Sequence, residues 1–359
     1  MEIGIVGLPN VGKSTIFNAL TSGHAASSNY PFTTIDPNVG AAGVPDHRLT
    51  RLTKIFQSAK TVPTAIRFVD IAGIVQGANE GLGLGNKFLS HIREVDAIAH
   101  MVRCFRDPDV VHTMGSVDPE RDIEVINMEL VLADLASMEK QLDKAQNQAK
   151  NGEKFAKEYF ELAKRVHQCL SDGKPVRALK LEASATRPFG LLTDKPVLYV
   201  GNVDESKESV ELANKLLPKI ASRDDASWLT ICGKLEAEIA ELEGADREAF
   251  LKDLGLKQSG LERMIEAAYK LLGLITFLTS GPDETRAWTV KKGAAAPEAA
   301  GKIHSDIEKG FIRADIYHFN DIDSLGSEAA VREKGLLRSE GKTYLMKDGD
   351  VVFFHFQNR

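Results

Sequence analysis

An α/β fold with a helical insertion and a separate β-rich C-terminal unit is predicted by three features of the 359-residue sequence. A short apolar run at the N-terminus leads through a glycine-containing loop into a segment with helical spacing. Apolar residues at steps of four and three occur in the middle of the chain, as in paired helices. Near the C-terminus, alternating apolar residues surround one proline-started helical segment, which fits strands packed around a helix.

Composition and charge limit the functional classes. Hydrophobic residues make up 43% and charged residues 27%, as in an ordinary globular protein, and the net charge of −6 argues against DNA binding over the whole surface. No apolar run reaches the roughly 20 residues that cross a membrane. Cys104, Cys169 and Cys232 are far apart, which indicates reduced thiols. We expect a cytoplasmic protein, and we expect it to be a monomer.

The stretch GLPNVGKST, residues 7–15, matches the phosphate-binding P-loop pattern. It lies between the apolar run IGIV and the helical segment STIFNALTSG, which is the context that the motif requires. Backbone N–H groups and the helix N-terminus would face the phosphates, Lys13 would reach the β- and γ-phosphates, and the Ser14 hydroxyl would bind Mg²⁺. The residues predicted to contact the nucleotide here are Asn10, Val11, Gly12, Lys13, Ser14 and Thr15.

A second phosphate-site element is predicted in TAIRFVDIAG, where an apolar strand ends at Asp70. An aspartate in this place holds Mg²⁺ through water, and Gly73 lets a backbone amide approach the γ-phosphate. The D-x-x-G pattern is weak alone. About 60 residues after a P-loop, it indicates the GTPase-like branch of P-loop proteins.

The loop NYPFTTIDPN, residues 29–38, is predicted to act as a switch. A threonine there would contact Mg²⁺ and the γ-phosphate while that phosphate is present. Thr33 and Thr34 both qualify, and Thr34 is favoured; a plain surface loop is the alternative. The glycine-rich stretch GIVQGANEGLGLGNKF, which follows soon after Asp70, suits a second switch.

The base-binding motif departs from the pattern of GTP-specific proteins. Those proteins carry N-K-x-D after a later strand, and the aspartate accepts hydrogen bonds from guanine. Here the stretch GNVDE has Asn202, but Val203 replaces the lysine and Glu205 replaces the aspartate. Loss of the tailored acceptor should remove the preference for guanine, whereas Asn202 could pair with adenine. We infer ATP as substrate, or weak discrimination with GTP accepted; a shifted register that uses Asp204 is the open alternative.

The next strand, in SWLTICGK, should bring a loop against the base. Cys232, Gly233 and Lys234 occupy that place, and small residues let the backbone approach a ring. The alternative is an ordinary turn between a strand and a helix.

The chain as a whole resembles the YchF/Obg-like ATPase family. The motifs that carry the resemblance include GLPNVGKST, YPFTTIDPN, FVDIAG, GNVDE and RAWTVKKGAAAPEAAGKIHSDIEKGFIRA, and the matching segments cover nearly the whole chain. The resemblance implies a G domain, a helical coiled-coil insertion and a C-terminal TGS domain of ubiquitin-like β-grasp form. It also implies ATP hydrolysis with some GTP tolerance, and association with ribosomes. The run CGK departs from the Ser-Ala-Lys-like sequence expected in the base loop.

Apolar spacing supports this organisation. One seam runs through Val131, Leu135, Met138, Leu142, Ala145 and Ala149, and a second through Phe155, Tyr159, Leu162, Val166 and Cys169. Two helices joined at Asn151–Gly152 would form an antiparallel hairpin. We place the G domain in residues 1–122 and 191–275, the insertion in residues 123–190, and the TGS domain in residues 276–359.

The helical insertion carries a local positive charge. Residues 141–180 contain nine Lys or Arg against five Asp or Glu, an excess of four positive charges. A solvated helix face is one interpretation, and contact with RNA phosphates is the other.

The C-terminal segment GKTYLMKDGDVVFFHF is predicted to form a hairpin that turns at Asp348–Gly349. Strands around one helix fit a β-grasp, and nothing in this unit indicates catalysis. A binding module is the better interpretation, with Trp288 in the core.

Hydrolysis must differ from that of Ras-like enzymes, because Ile74 stands where a glutamine would orient water. Asn10 could help to place a monovalent cation such as K⁺ between the phosphates. His112, by resemblance to the family, is the candidate that positions the attacking water. The predicted catalytic set is Lys13, His112, Asn10 and Thr34, and the predicted Mg²⁺ ligands are Ser14, Thr34 and Asp70.

Three functions compete at this point. The first is an ATP-hydrolysing switch that binds ribosomes, through ribosomal subunits and rRNA, and couples its nucleotide state to a translation or stress-related partner. The second is a nucleotide-held adaptor whose hydrolysis is incidental. The third is a P-loop small-molecule kinase, which the D-x-x-G and threonine elements disfavour.

Overall fold

The computed structural model describes residues 1–22, 38–72, 84–150 and 153–357. Their contacts divide the chain into two compact units. The first holds the N-terminal residues 1–22 and 38–41 together with the described residues of 67–264. The second holds Ala42–Ile66 and residues 265–357. Among the described residues, no helix is both long and apolar enough to cross a membrane.

The helices and strands follow one another in α/β order. Up to residue 103 they are β1 (Glu2–Val6), α1 (Lys13–Ser22), β2 (Val39–Gly43), α2 (His47–Phe56), β3 (Lys60–Val62), β4 (Ala65–Asp70), α3 (Leu84–Glu94) and β5 (Ala97–Arg103). Then come α4 (Pro119–Ala149), α5 (Lys154–Ser171), a 3-10 turn (Val176–Leu179), α6 (Ala183–Thr186), a 3-10 turn (Arg187–Phe189), β6 (Val197–Asn202), α7 (Lys207–Asp224), β7 (Ser227–Ile231), α8 (Gly233–Ala240), α9 (Gly244–Asp253) and α10 (Gly260–Leu271). The C-terminal elements are β8 (Leu274–Ser280), β9 (Glu284–Lys291), α11 (Ala296–Ile303), α12 (Ser305–Lys309), β10 (Phe311–His318), α13 (Phe319–Leu325), α14 (Glu328–Glu333), β11 (Arg338–Glu340) and β12 (Asp350–Phe356).

A sheet of six strands within the described residues has the order β2-β4-β1-β5-β6-β7. β1 pairs in parallel with β4 and β5, and β6 pairs in parallel with β5 and β7. Every residue of β5 and β6 is buried, as expected for a parallel sheet covered on both faces. Parallel strands end at the same edge, so the segments that follow β1, β4 and β6 meet there.

The helical pair α4 and α5 lies between β5 and β6 in the sequence, as the apolar spacing predicts. Asp118 caps α4 by accepting a hydrogen bond from the N–H of Arg121, and Pro119 occupies the first turn. A shared core holds the pair together; its buried members are Val131, Met138, Ala145, Ala163, Val166, Leu170, Val176, Phe189 and Leu191. The predicted seam is wrong at Phe155, whose residue surface is 84% exposed.

The second sheet has the order β11-β10-β12-β8-β9-β3 within the described residues. β12 lies between β10, to which it is antiparallel, and β8, to which it is parallel. Helix α11 packs its alanines into the core on one face of this sheet, in a β-grasp arrangement. The α/β fold class predicted for the chain is therefore confirmed.

The predicted C-terminal hairpin is wrong, although its turn exists. The N–H of Asp350 donates to the carbonyl of Lys347 at 3.2 Å, and Gly349 has a φ of 85°. The preceding segment, however, bonds to the start of α11: the N–H of Met346 donates to the carbonyl of Ala294 at 2.9 Å. Alternating apolar residues predicted a strand, but the partner of β12 is decided by which strand the core places beside it.

Residues 42–66 belong by contact to the second unit. Leu49 and Leu52 of α2 share a core with Leu278, Tyr317 and residues of α13 and α14. This segment was predicted from the sequence to lie within the G domain, in residues 1–122. The predicted domain limits stay a prediction, and the contacts show which apolar residues pack with the C-terminal strands.

Trp288 is half-buried against the core of the second sheet. Its ring stacks on Phe277 with centroids 6.4 Å apart, and its Nε1 donates to Thr279 Oγ1 at 2.9 Å. The Arg286 guanidinium covers its outer face at 4.2 Å from the ring centroid. The packing part of the prediction holds, and the ring keeps an exposed edge.

Candidate nucleotide-binding site

The P-loop follows β1 directly and ends in the first turn of α1. Asn10 and Gly12 both have positive φ values, 64° and 89°, so the backbone turns sharply here. The carbonyl of Gly12 accepts a hydrogen bond of 3.1 Å from the N–H of Ile16, the first bond of the helix. Ser14 and Thr15 are exposed at its N-terminus. Backbone N–H groups at a helix start, with exposed hydroxyls, form an anion-binding arrangement.

Lys13 and Asp70 meet at the edge of the sheet. Asp70 ends β4 and pairs in register with Ile5 of β1, the strand that leads into the loop. Its carboxylate forms an ion pair with the ammonium group of Lys13. The Asp70 N–H is bonded to the carbonyl of Asn38 at 2.7 Å. The predicted phosphate-binding lysine and the predicted metal-binding carboxylate therefore belong to one site.

Asn202 joins the phosphate end of the site to the base end. It is the last residue of β6 and is buried. Its Nδ2 donates to the carbonyl of Val11 at 2.9 Å, and its Oδ1 accepts from the N–H of Gly233 at 2.9 Å. One N–H and one lone pair of the amide remain for other partners. The structure thus gives Asn202 a positioning role, and its direct contact with adenine stays a prediction.

The two glycines beside Asn202 differ in how much space they have. A Cβ at Gly12 would lie 2.2 Å from Asn202 Nδ2, in addition to the strain of its positive φ. A Cβ at Gly233 would lie 3.1 Å from Asn202 Oδ1. Only glycine fits at position 12 without movement, while position 233 demands a shift of a few tenths of an ångström.

A cavity of about 990 Å³ opens beside the loop, between the segments that follow β5, β6 and β7. It is large enough for a nucleotide. The residues that line it are Asn10, Gly12, Thr15, Phe105, Arg106, Asp107, Val110, Asn202, Val203, Asp204, Glu205, Ser206, Cys232, Gly233, Lys234, Ala237, Glu238 and Glu241. All predicted base-end residues are in this set.

The two candidate acceptors for the base, Asp204 and Glu205, differ in their hydrogen bonding and exposure. Asp204 accepts hydrogen bonds from the N–H of Ser206 at 2.9 Å and the hydroxyl of Ser209 at 2.6 Å. Burial raises the pKa of Asp204, but the hydrogen bonds outweigh burial and hold this pKa below its ordinary value. These bonds all go to Oδ1 and anchor the Asp204 side chain at the start of α7, whereas Glu205 is exposed in the cavity wall. This favours the register that aligns Glu205 with the guanine acceptor over the one that uses Asp204.

Val203 and Cys232 present neutral groups to the cavity. Val203 is buried, and its N–H donates to the carbonyl of Ile231 at 2.9 Å. Burial raises the pKa of the Cys232 thiol, so it stays protonated at neutral pH. All three cysteines are free thiols, and burial raises the pKa of Cys104 to about 12.

His112 lies close to the P-loop in the chain segment between β5 and α4. The Asn10 Nδ2 group donates to the carbonyl of Val111, the neighbour of His112, at 3.1 Å. The His112 side chain is 7% exposed, and its Nε2 lies 2.8 Å from Asp122 Oδ2. The structure therefore brings the backbone beside His112 to the phosphate end and turns its ring toward α4.

Several predicted residues lie outside the described part of the chain. These are Thr33 and Thr34 of the first switch, Gly73, Ile74, and the glycine-rich stretch 77–83. Their predicted roles stay predictions.

Sequence reasoning missed two residues that shape this site. Arg103 ends β5, is buried, and donates to the carbonyls of Phe105, Asp107 and Val110 at 2.9–3.3 Å, which fixes the cavity wall. An arginine inside the apolar run DAIAHMVRCF is the signal that could have identified it. Asp122, the partner of His112, lies in the first turn of a helix and has no such signal.

The fold and the site define a P-loop nucleotide-binding protein of the GTPase-like branch. Residues 2–138 match the family model described as a 50S ribosome-binding GTPase, and residues 274–357 match the YchF-GTPase C-terminal model, described as a protein of unknown function. The chain is 50% identical to the ribosome-binding ATPase YchF of Bacillus subtilis and 47% identical to that of Escherichia coli O157:H7, with 99% of each chain covered. It belongs to the YchF family.

Two solved structures support the fold. The Schizosaccharomyces pombe YchF GTPase superposes with a TM-score of 0.86 at 36% identity, covering 99% of this chain and 97% of that one. A GTP binding protein from Pyrococcus horikoshii superposes with a TM-score of 0.62 at 21% identity, over 99% of this chain and 100% of that one. The second likeness concerns the fold alone.

Proposed function

We propose that this protein is an ATPase that also accepts GTP and works in association with ribosomes. The observation that carries the proposal is a single site in which a phosphate end is linked to a base end. Lys13 and Asp70 form its phosphate end, Asn202 links that end to a nucleotide-sized cavity, and the base motif lacks the guanine acceptor. Relatives of nearly half identity over the full length are named ribosome-binding ATPases.

Mg²⁺ is the cation that the phosphate end would take. Ser14 and Asp70 offer hard oxygen donors, which suit Mg²⁺, and Thr34 is the third proposed ligand. No group of three or more His, Cys, Asp or Glu side chains suited to a metal was found among the described residues. Mg²⁺ is usually bound through one or two protein oxygens together with phosphates and water. When bound, Mg²⁺ would neutralise charge that develops on the phosphates.

Selectivity for ATP follows from the base end. Val203, which is neutral, replaces the lysine of the guanine-binding motif, and Glu205, which is one methylene longer, replaces its aspartate. Ser206 and Ser209 anchor Asp204 through its Oδ1, away from the position aligned with the guanine acceptor, so we propose that Asp204 does not substitute for this aspartate. Without a dedicated acceptor, the site loses the polar discrimination that separates guanine from adenine by orders of magnitude. We propose that ATP is preferred and GTP is tolerated.

Hydrolysis would use His112 and a monovalent cation. Asn10 turns its Nδ2 toward the carbonyl of Val111, which leaves its Oδ1 without a partner among the described residues and available to K⁺. A fixed positive charge between the β- and γ-phosphates stabilises the charge that develops there. Because the P-loop residue Asn10 bonds to the carbonyl next to His112, we propose that the His112 ring reaches the attacking water after a change in its orientation.

The test is steady-state and single-turnover hydrolysis by the full chain in K⁺ and in Na⁺, with ATP and with GTP. Loss of one positioned catalytic group typically lowers the rate by about 10²- to 10³-fold, so His112→Ala should slow turnover that far. ATP affinity should hardly change, because the histidine need not touch the ground state. Na⁺ should slow the wild type and leave binding nearly unchanged. Turnover that is indifferent to both changes would exclude this mechanism.

The helical pair is the surface that we propose for ribosome contact. Lys150, Lys154 and Lys157 are exposed near the α4–α5 connection, next to the exposed ring of Phe155. Basic side chains attract RNA phosphates, and an exposed aromatic ring can stack on an unpaired base. Ribosome cosedimentation at fixed salt should weaken at least about tenfold when the three lysines become glutamates, since several phosphate contacts are lost.

A matched control exists on another helix of the same unit. Lys207, Lys215 and Lys219 are exposed on α7, and their replacement by glutamate changes the net charge equally. If both triple variants lose ribosome binding to the same degree, total charge accounts for the effect and the helical pair has no special role.

The adaptor function makes a different prediction for hydrolysis. A switch should show single-turnover rates that change when ribosomes are added, whereas an adaptor should bind ribosomes equally well with ATP, ADP or a non-hydrolysable analogue. We propose the switch. The expectations of a cytoplasmic location, a monomeric state and no DNA binding stay predictions.

A further inference from the structure

The imidazole ring of His112 is held at both of its nitrogen atoms. Nδ1 accepts a hydrogen bond of 3.1 Å from the backbone N–H of Met114, and Nε2 lies 2.8 Å from Asp122 Oδ2. Because Nδ1 is an acceptor, we assign the proton of the neutral ring to Nε2, which donates to the carboxylate. In this orientation neither nitrogen is available to bind or orient a water molecule.

The carboxylate that holds the ring is itself well fixed. Asp122 lies in the first turn of α4 and is buried, with 2% of its surface exposed. The guanidinium of Arg121 contacts Asp122 Oδ1 at 3.1 Å and also donates to the carbonyl of Ser116 at 2.5 Å. Residues 112–116 are therefore attached to the start of α4 by two adjacent side chains.

The same segment is attached to the P-loop from its other side. The Nδ2 group of Asn10 donates to the carbonyl of Val111 at 3.1 Å. The backbone next to His112 is thus bonded to the P-loop, while the ring is bonded to the start of α4. Rotation of this ring requires the loss of the charge-assisted bond to Asp122 and of the weaker bond from the Met114 N–H.

We propose that Asp122 is a positioning residue for hydrolysis that holds His112 in a stored orientation. Release of Nε2 from the Asp122 carboxylate frees the ring to turn toward the attacking water. The inference rests on the hydrolytic role proposed above for His112. It adds that the rate is set by how often the hydrogen bond between Asp122 and His112 breaks.

The helix that carries Asp122 also builds the proposed ribosome-contact surface. α4 extends without a break from Pro119 to Ala149, into the helical pair. Midway along it, the buried Asp134 accepts hydrogen bonds from the N–H groups of Leu192 at 2.9 Å and Thr193 at 2.7 Å. A partner that displaces the helical pair would act on the same rigid element as the carboxylate that holds His112.

The experiment measures single-turnover ATP hydrolysis by the full-length protein at saturating nucleotide. Asp122→Ala should raise the rate by about tenfold or more, because a charge-assisted hydrogen bond no longer favours the stored orientation. Asp122→Asn keeps an acceptor without the charge, so it should raise the rate less. In the double variant with His112→Ala, the increase should disappear, since it acts through the ring.

Asp118→Ala is the matched control for a loosened helix start. Asp118 caps α4 through the N–H of Arg121 at 3.2 Å and does not contact His112. The cap variant should hydrolyse ATP at the wild-type rate. If it accelerates hydrolysis as much as Asp122→Ala does, general loosening of α4 explains the effect and the proposal is overturned.

A spectroscopic measurement tests the stored orientation of His112 directly, and the hydrolysis rates of the single variants separate this proposal from the hydrolytic role of His112. Proton NMR should show the His112 Nε2–H in the wild type as a downfield signal that exchanges slowly with water, as in a hydrogen bond to a carboxylate, and Asp122→Ala should abolish this signal. If His112→Ala hydrolyses ATP normally, the hydrolytic role of His112 is wrong. If His112→Ala is slow but Asp122→Ala is equally slow or unchanged, the histidine is needed and the stored-orientation proposal is wrong.

Discussion

At the phosphate end of the site, residues 10–15 are contiguous and follow β1 directly. At the base end, the residues come from two loops, and Asn202 and Gly233, which touch, are 31 positions apart. The phosphate end uses backbone turns with positive φ and a lysine–aspartate pair, while the base end uses a cavity with mostly neutral or exposed walls. Charge recognition needs a few groups held close together, whereas base recognition needs a shape that only several loops can form.

The difference between the two ends indicates where nucleotide specificity can change without loss of nucleotide binding. The phosphate end would contact a group common to all nucleoside triphosphates. The base end alone would distinguish them, and it differs from the guanine pattern at two of its positions, Val203 and Glu205. The buried amide of Asn202 connects the two ends. A substitution at one end that displaces this amide should therefore also alter the geometry of the other end.

The largest expected effect is at the phosphate end. Lys13→Ala should weaken ATP binding by at least about 100-fold, because each charge-assisted hydrogen bond contributes about 1.5–3 kcal/mol and the lysine is predicted to reach two phosphates. Isothermal titration calorimetry measures the affinity, and circular dichroism checks the fold. Lys207→Ala, an exposed lysine on α7, is the control. Unchanged ATP affinity in a folded Lys13→Ala protein would contradict the P-loop assignment.

Gly12→Ala should produce the next largest effect and disturb both ends. The new Cβ would lie 2.2 Å from Asn202 Nδ2 at a φ of 89°. We expect ATP affinity to fall about 10- to 100-fold, since left-handed backbone costs a side chain about 1–2 kcal/mol and the bridging amide must move as well. The titration is repeated in an Asn202→Ala background. Equal losses in both backgrounds would mean that the clash with Asn202 is irrelevant.

The base end is tested by rebuilding the guanine motif. Val203→Lys with Glu205→Asp should raise GTP affinity relative to ATP by at least tenfold, about 1.4 kcal/mol. The single variant Glu205→Asp separates the acceptor from the ring-covering lysine, and because Glu205 is exposed it should leave the thermal midpoint unchanged. A ratio that does not move in either variant would mean that backbone contacts select the base.

The smallest effect is expected at Gly233. Its Cβ would lie 3.1 Å from Asn202 Oδ1, and Gly233 is not among the residues with positive φ. Gly233→Ala should therefore lower ATP affinity by less than about threefold, since a shift of a few tenths of an ångström costs little at a helix start. A loss as large as that of Gly12→Ala would show that the base end is as rigid as the phosphate end.

Much of this site could be read from the sequence because its signals are local. The P-loop, Asp70 and Asn202 each follow an apolar strand, and parallel strands bring their carboxyl ends to one edge. The helical pair was predictable for the same reason, since its seam repeats over several turns. The predictions that are wrong, Phe155 and the C-terminal hairpin, concern an element end and a choice of strand partner.

The amino-acid sequence by itself determined the α/β class, the phosphate-binding loop, the altered base motif and the place of the helical pair. Tertiary structure decided that the Asn202 amide bonds to Val11 and Gly233, that Ser206 and Ser209 anchor Asp204 Oδ1, and that Asp122 holds His112. The physical reason is the range of the interactions. Periodicity and loop motifs act over a few neighbouring residues, whereas a buried hydrogen bond depends on which distant groups the packed chain brings within 3 Å of each other.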